Sequence, residues 1–95
     1  LAARARNVSF GADSVELEAQ KNKVYLIILA QDSSSRTKEK FQKISEKYNI
    51  PIIITQTIEE ISKAIGKSNK AILGIEDINL ASEIQKINNG GEAIG

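Results

Sequence analysis

Apolar residues fall into two kinds of stretch along this chain: short unbroken runs, and longer segments where they recur every three or four positions. "VYLIILA", Val24 to Ala30, is an unbroken run with a β-branched and aromatic flavour, as expected of a strand buried on both faces. It ends at Gln31-Asp32 and a serine cluster, "SSS", which is turn and N-cap chemistry. "RTKEKFQKISEKYN" then sets Phe41, Ile44 and Tyr48 on one face of an amphipathic helix. Pro51 stops that helix, and "IIIT", Ile52 to Thr55, reads as the next buried strand. Thr57 and Glu60 stand in capping-box register at the head of a helix whose stripe is Ile58, Ile61 and Ile65. Gly66 ends it in the manner of a C-cap. "AILGI", Ala71 to Ile75, is a third internal strand. "NLASEIQKI" is the last helix, with Leu80, Ala81, Ile84 and Ile87 inward, and "NNGGEAIG" is expected to fray from its end.

At the front, "NVSFGADSVELEA" changes character at its glycine. A scrap of strand around Val8 and Ser9 precedes Gly11, and a helix opening with Ala12, Asp13 and Ser14 follows it. "LAARAR" reads as the end of a helix whose beginning is missing from this numbering. Strands and helices therefore alternate throughout, which implies a mostly parallel or mixed sheet with helices on both faces, an α/β/α sandwich. With no internal repeat or linker, residues 1–95 are expected to form a single domain.

Composition removes several classes of function. There is no cysteine, hence no disulfide and no thiolate metal site, in agreement with a cytoplasmic protein. Histidine is absent too, so catalysis would rest on carboxylates, lysines or tyrosines. No apolar run approaches the roughly 18 residues of a membrane span, and no signal peptide is visible. Aromatics are scarce, and Tyr25 and Phe41 both read as core, which argues against a platform for stacking single-stranded bases. Net charge is +1, but residues 1 to 75 hold twelve Lys/Arg against eight Asp/Glu (+4), while residues 76 to 95 hold one against four (−3). A polyanion would dock on the first three quarters of the chain. The lysines at 38, 40, 43 and 47, interleaved with Glu39 and Glu46, read as a solvated helix face.

Ligands of open α/β sheets meet the loops at the carboxyl ends of strands, and three stretches fit such places. At Gly11, Ala12, Asp13 and Ser14, unpaired N–H groups of a helix start would attract phosphate, and Gly11 permits close approach. The plainer reading is a turn glycine with Asp13 or Ser14 as N-cap. No Walker motif or GxGxxG supports a nucleotide. In "AQDSSSR", Gln31, Asp32 and Arg36 follow the central strand, and the plainer reading makes Asp32 and the serines caps. In "AIGKSNKA", Gly66, Lys67, Ser68, Asn69 and Lys70 form a donor-rich loop with two cations and no acid, suited to phosphates, base edges and sugar hydroxyls. A solvated connecting loop is the plainer alternative.

"SFGADSVELEA", "VYLIILAQDSS", "IPIIITQTIEEISKAIGKSNKAILGI" and "NLASEIQKI", in this order, resemble the kink-turn RNA-binding superfamily of ribosomal proteins L-seven-Ae and L-thirty-e. Within it the likeness is to the small bacterial YlxQ-like group, in whose style "RARNVSFG" and "AIGKSNKAILGI" are written. The resemblance implies an α/β/α sandwich around a four-stranded mixed sheet that binds structured RNA, ribosomal or other non-coding, without cofactor, metal or catalysis. It implies a place in a ribonucleoprotein of the ribosome or translation machinery, with a protein partner as an option. Family members open the RNA-contacting helix with Gly-Ala-Asn-Glu and place a lysine one turn on. Gly11 and Ala12 match that pattern. Asp13 stands for the asparagine, Ser14 for the glutamate and Leu17 for the lysine. Asp32 matches an acid at the end of the family's central strand, and the loop from Gly66 to Ala71 matches its second RNA-contacting loop. Two other classes stay open: a protein-interaction module of the same fold, marked by an exposed apolar patch, and a fragment of an RNA-modifying enzyme.

Overall fold

Four short strands and four helices alternate along the described residues of this computed structural model, which are 8–64, 66 and 68–94. The expectations placed on "LAARAR", on Ile65 and Lys67, and on the side chain of Ile87 lie outside them. In chain order the elements are β1 (Val8–Phe10), α1 (Ala12–Gln20), β2 (Leu26–Leu29), α2 (Ser35–Tyr48), β3 (Ile52–Ile54), α3 (Ile58–Ala64), β4 (Ile72–Ile75) and α4 (Ile78–Ile94).

The sheet order is β1-β4-β2-β3. β4 runs antiparallel to both β1 and β2, and β2 and β3 are parallel, so the sheet is mixed. Because side chains alternate across a sheet, neighbouring residues serve opposite layers. Ile27 and Leu29 of β2 and Ile72 of β4 meet Val15 and Ala19 of α1 and Phe41 and Ile44 of α2. Leu26 of β2 and Leu73 and Ile75 of β4 meet Ile61 of α3 and Ala81 of α4. The result is the three-layer α/β/α sandwich expected from the alternation.

Gly74 sets how closely α1 approaches the sheet. A Cβ there would stand 2.6 Å from Ser9 Oγ and 3.2 Å from a Val15 methyl, so a larger residue fits only if Ser9 shifts and Val15 gives way. Val15 is fully buried on that glycine.

Four details depart from the sequence reading. β3 is an edge strand, and Ile54 is 42% exposed, because only β2 pairs with it. The regular part of β2 is shorter than Val24 to Ala30, although Tyr25 N–H still donates to Ile75 O and Ala30 N–H to Ala71 O. Tyr25 is exposed rather than core, whereas Phe41 is fully buried. The stretch "NNGGEAIG" does not fray where expected: α4 continues to Ile94.

Candidate nucleic-acid interface

Since β4 runs against the other three strands, the carboxyl ends of β1, β2 and β3 and the amino end of β4 share one rim of the sheet. All three stretches singled out above lie there. Backbone hydrogen bonds tie them together: Gly11 N–H donates to Ile72 O at 3.0 Å, Ala30 N–H to Ala71 O at 2.8 Å, and Gln31 N–H to Gln56 O at 2.7 Å.

The start of α1 is open. Gly11 is its N-cap at φ 87°, ψ 160°, and no side chain caps the helix. Only glycine occupies that region comfortably, so the backbone demands Gly11 here. Neither Asp13 nor Ser14 acts as N-cap; both are exposed in the first turn. The first intrahelical bond is Val15 N–H to Gly11 O, which leaves the N–H groups before it directed outward. Lys70 Nζ lies 3.6 Å from where a Cβ on Gly11 would be. An ammonium thus sits at the positive end of a helix dipole, an unfavourable placement that an anion between them would relieve. Among the described residues no ion pair engages Lys70.

Asp32 has a defined partner. Its Oδ1 accepts the Ile58 N–H at 2.8 Å, capping α3 from 26 residues away. Capping was the plainer expectation for this residue, but the helix it caps is α3, since Ser34 caps α2 by accepting Thr37 N–H at 3.2 Å. The capping box at α3 also forms, with Thr57 N–H donating to Glu60 Oε1 at 2.9 Å and Glu60 N–H to Thr57 Oγ1 at 3.1 Å. Arg36 stands exposed in the first turn of α2.

In the third stretch, Gly66 (φ 68°) closes α3 as foreseen, its N–H donating to Lys63 O. Ser68 and Asn69 are exposed, Asn69 at φ 56°. With Asp32, Ile58, Glu59, Ser62 and Lys63 they line a shallow groove of about 570 Å³ beside α3. Lys40 is exposed, as expected of its helix face, and pairs at the surface with Glu16 of α1 at 3.0 Å.

Two contributors escaped the sequence reading. Ser62 binds both backbone polar groups of Lys70. Gln56, at φ 58°, receives the β2–α2 loop. Nothing in the local spacing marks either one, because each acts across a loop. The opposite rim holds a groove of about 470 Å³ lined in part by Tyr25, Tyr48, Pro51 and Ile78. Nearby, burial raises the Glu76 carboxyl above its ordinary 4.5, with Glu18 adding repulsion and the Ser9 hydroxyl and Lys23 opposing it.

No group of three or more metal-ligating side chains occurs among the described residues, and no helix there is long and apolar enough to cross a membrane.

These features define an α/β/α protein that gathers an open helix start and a cationic loop on one rim. The chain belongs to the Ribosomal protein L7Ae/L30e/S12e/Gadd45 family, whose model matches residues 1–85. RNA-binding protein YlxQ of Bacillus subtilis (strain 168) is 29% identical over 84 residues, 88% of this chain and 84% of its own length. RNA-binding protein YlxQ of Enterococcus faecium is 29% identical over 90 residues, 95% of this chain and 86% of its own. Among solved structures, a protein of unknown function from Bacillus halodurans C superimposes with a TM-score of 0.84 at 30% identity, covering 88% of this chain and 85% of its own. The Giardia lamblia 15.5kD RNA binding protein does so with a TM-score of 0.77 at 16% identity, covering 99% and 81%, which is a likeness of fold.

Proposed function

We propose that this chain is a non-catalytic, single-domain module that binds bent, kink-turn-like RNA at the rim carrying Gly11 and Lys70. The family and the relatives named RNA-binding proteins support RNA as the ligand. The observation that carries the placement is the Lys70 ammonium beside the uncapped start of α1. Outward N–H groups and a cation converge there, the combination that receives phosphate, while Ser68 and Asn69 offer hydrogen bonds to sugars and splayed bases. The ribosomal proteins of the family support a setting in the translation machinery of the cytoplasm.

Asp13, Ser14 and Leu17 alter the contacts that the helix itself can make. A carboxylate repels phosphate and donates nothing, and Leu17, 51% exposed, carries no charge. Lys70 supplies a cation beside Gly11 from the neighbouring loop. Shape recognition is tested by titrating the protein into a labelled kink-turn hairpin and a control whose sheared G·A pairs are replaced by Watson–Crick pairs. Tighter binding to the kinked hairpin at both low and high salt is expected. Equal, steeply salt-dependent binding to both would mean contact with phosphates without shape recognition, and would sink the kink-turn reading.

A second reading is favoured by one observation. Tyr25 and Ile78, 41% and 61% exposed, flank the groove on the opposite rim, as a protein-docking module would require. Absence of binding to either RNA would favour it.

A further inference from the structure

We infer that Ser62 is a positioning residue for Lys70, fixing the backbone from which the ammonium reaches the start of α1. The inference rests on the RNA-binding reading above and deepens it. A lysine side chain is a point charge on a flexible four-carbon stem, so where it acts depends on how firmly its backbone is held. On its C-terminal side the hold comes from the sheet, through the bonds that Ala71 O and Ile72 O accept from Ala30 and Gly11. On the other side lies a loop with left-handed backbone at Gly66 and Asn69, which gives no such ladder.

Ser62 supplies the missing tie. Its side chain is buried, at 6% exposure, and its hydroxyl does two things at once. It accepts the Lys70 N–H at 2.7 Å and donates to Lys70 O at 3.3 Å. Serine inside a helix ordinarily faces water or bonds a carbonyl of its own preceding turn, and alanine is the better helix former. Here the hydroxyl leaves its helix and satisfies both polar groups of one loop residue. That residue is the one whose ammonium stands beside Gly11.

The test is a double-mutant cycle on the labelled kink-turn hairpin with Ser62→Ala, Lys70→Ala and the pair, each first confirmed folded by circular dichroism. Binding is read against salt concentration. Lys70→Ala is expected to weaken binding about tenfold and to reduce the salt slope by about one, the mark of one lost phosphate contact. Ser62→Ala is expected to weaken binding severalfold with a reduced slope, and the pair to be no weaker than Lys70→Ala alone. Faster amide exchange at Lys70 in Ser62→Ala is expected with no RNA present. Losses that add, or an unchanged affinity and slope in Ser62→Ala while Lys70→Ala weakens, would overturn the positioning role and leave RNA binding standing. Failure of the unmodified protein to bind would overturn the reading beneath it as well.

Discussion

The starts of α1 and α3 lie on the same rim, on opposite faces of the sheet, and are finished in opposite ways. At α3 the first donors are taken: Ile58 N–H by Asp32, Glu60 N–H by Thr57, while the box returns Thr57 N–H to Glu60. At α1 no side chain caps the helix; Asp13 stands exposed in the first turn, and the Lys70 ammonium lies beside Gly11. The other two starts follow α3. Ser34 caps α2, and Asp77 Oδ1 accepts the Asn79 and Leu80 N–H groups at the head of α4. Side-chain caps use up the N–H groups that could bind an anion, so α1 is the start left open to one. Its cost in stability is small, because glycine as N-cap gives up only a few tenths of a kcal/mol against serine.

The difference between the two starts can be broken at several points. The largest effect is expected from Gly74→Val. Overpacking against Ser9 and Val15 displaces α1 from its seat and costs about 3 kcal/mol, read as a lower urea midpoint at unchanged m. Gly11→Ala comes next. Forcing a Cβ into φ 87°, ψ 160° costs about 2 kcal/mol and disturbs the open start itself, so stability and RNA affinity should fall together. At α3 the outcome should split. Asp32→Ala removes a cap worth about 1 kcal/mol, whereas Asp32→Asn keeps an oxygen acceptor and should retain most of it. If Asp32→Asn weakens RNA binding as much as Asp32→Ala does, the carboxylate acts on RNA directly and the contrast between the two starts fails.

The smallest effect lies under the far half of α1. Burial favours the protonated form of Glu76 in the folded chain, so the folded state holds more protons than the unfolded one just above 4.5. Its contribution is fully present below 4.5 and lost as pH rises through the higher folded value. Glu76→Gln should therefore flatten the pH dependence of the urea midpoint in that window and raise stability above it, with the α1 start unaffected.

Much of this arrangement can be read from the residues, and the exceptions have physical causes. The capping box at Thr57 and Glu60 and the C-cap at Gly66 are local, and both stand in the structure where their spacing put them. The continuous apolar runs identify the strands, but a run does not state its neighbours. "IIIT" therefore looked buried although β3 closes the sheet, and Tyr25 looked like core although its ring meets solvent. Glycines weaken a helix without forbidding one, and α4 runs through Gly90 and Gly91. The rim was legible as three separate stretches. That Asp32 holds α3, and that Ser62 holds Lys70, depends on contacts 26 and 8 residues apart, which no periodicity encodes.

Whether RNA meets the open start of α1 can be read by following backbone amide resonances of the protein while the kink-turn hairpin is added. The largest shifts are expected at Ala12, Asp13, Ser14 and Ser68 to Lys70, with the capped starts of α2 and α4 nearly still. Shifts centred on Tyr25, Tyr48 and Ile78 would place the ligand on the opposite rim and contradict binding at α1.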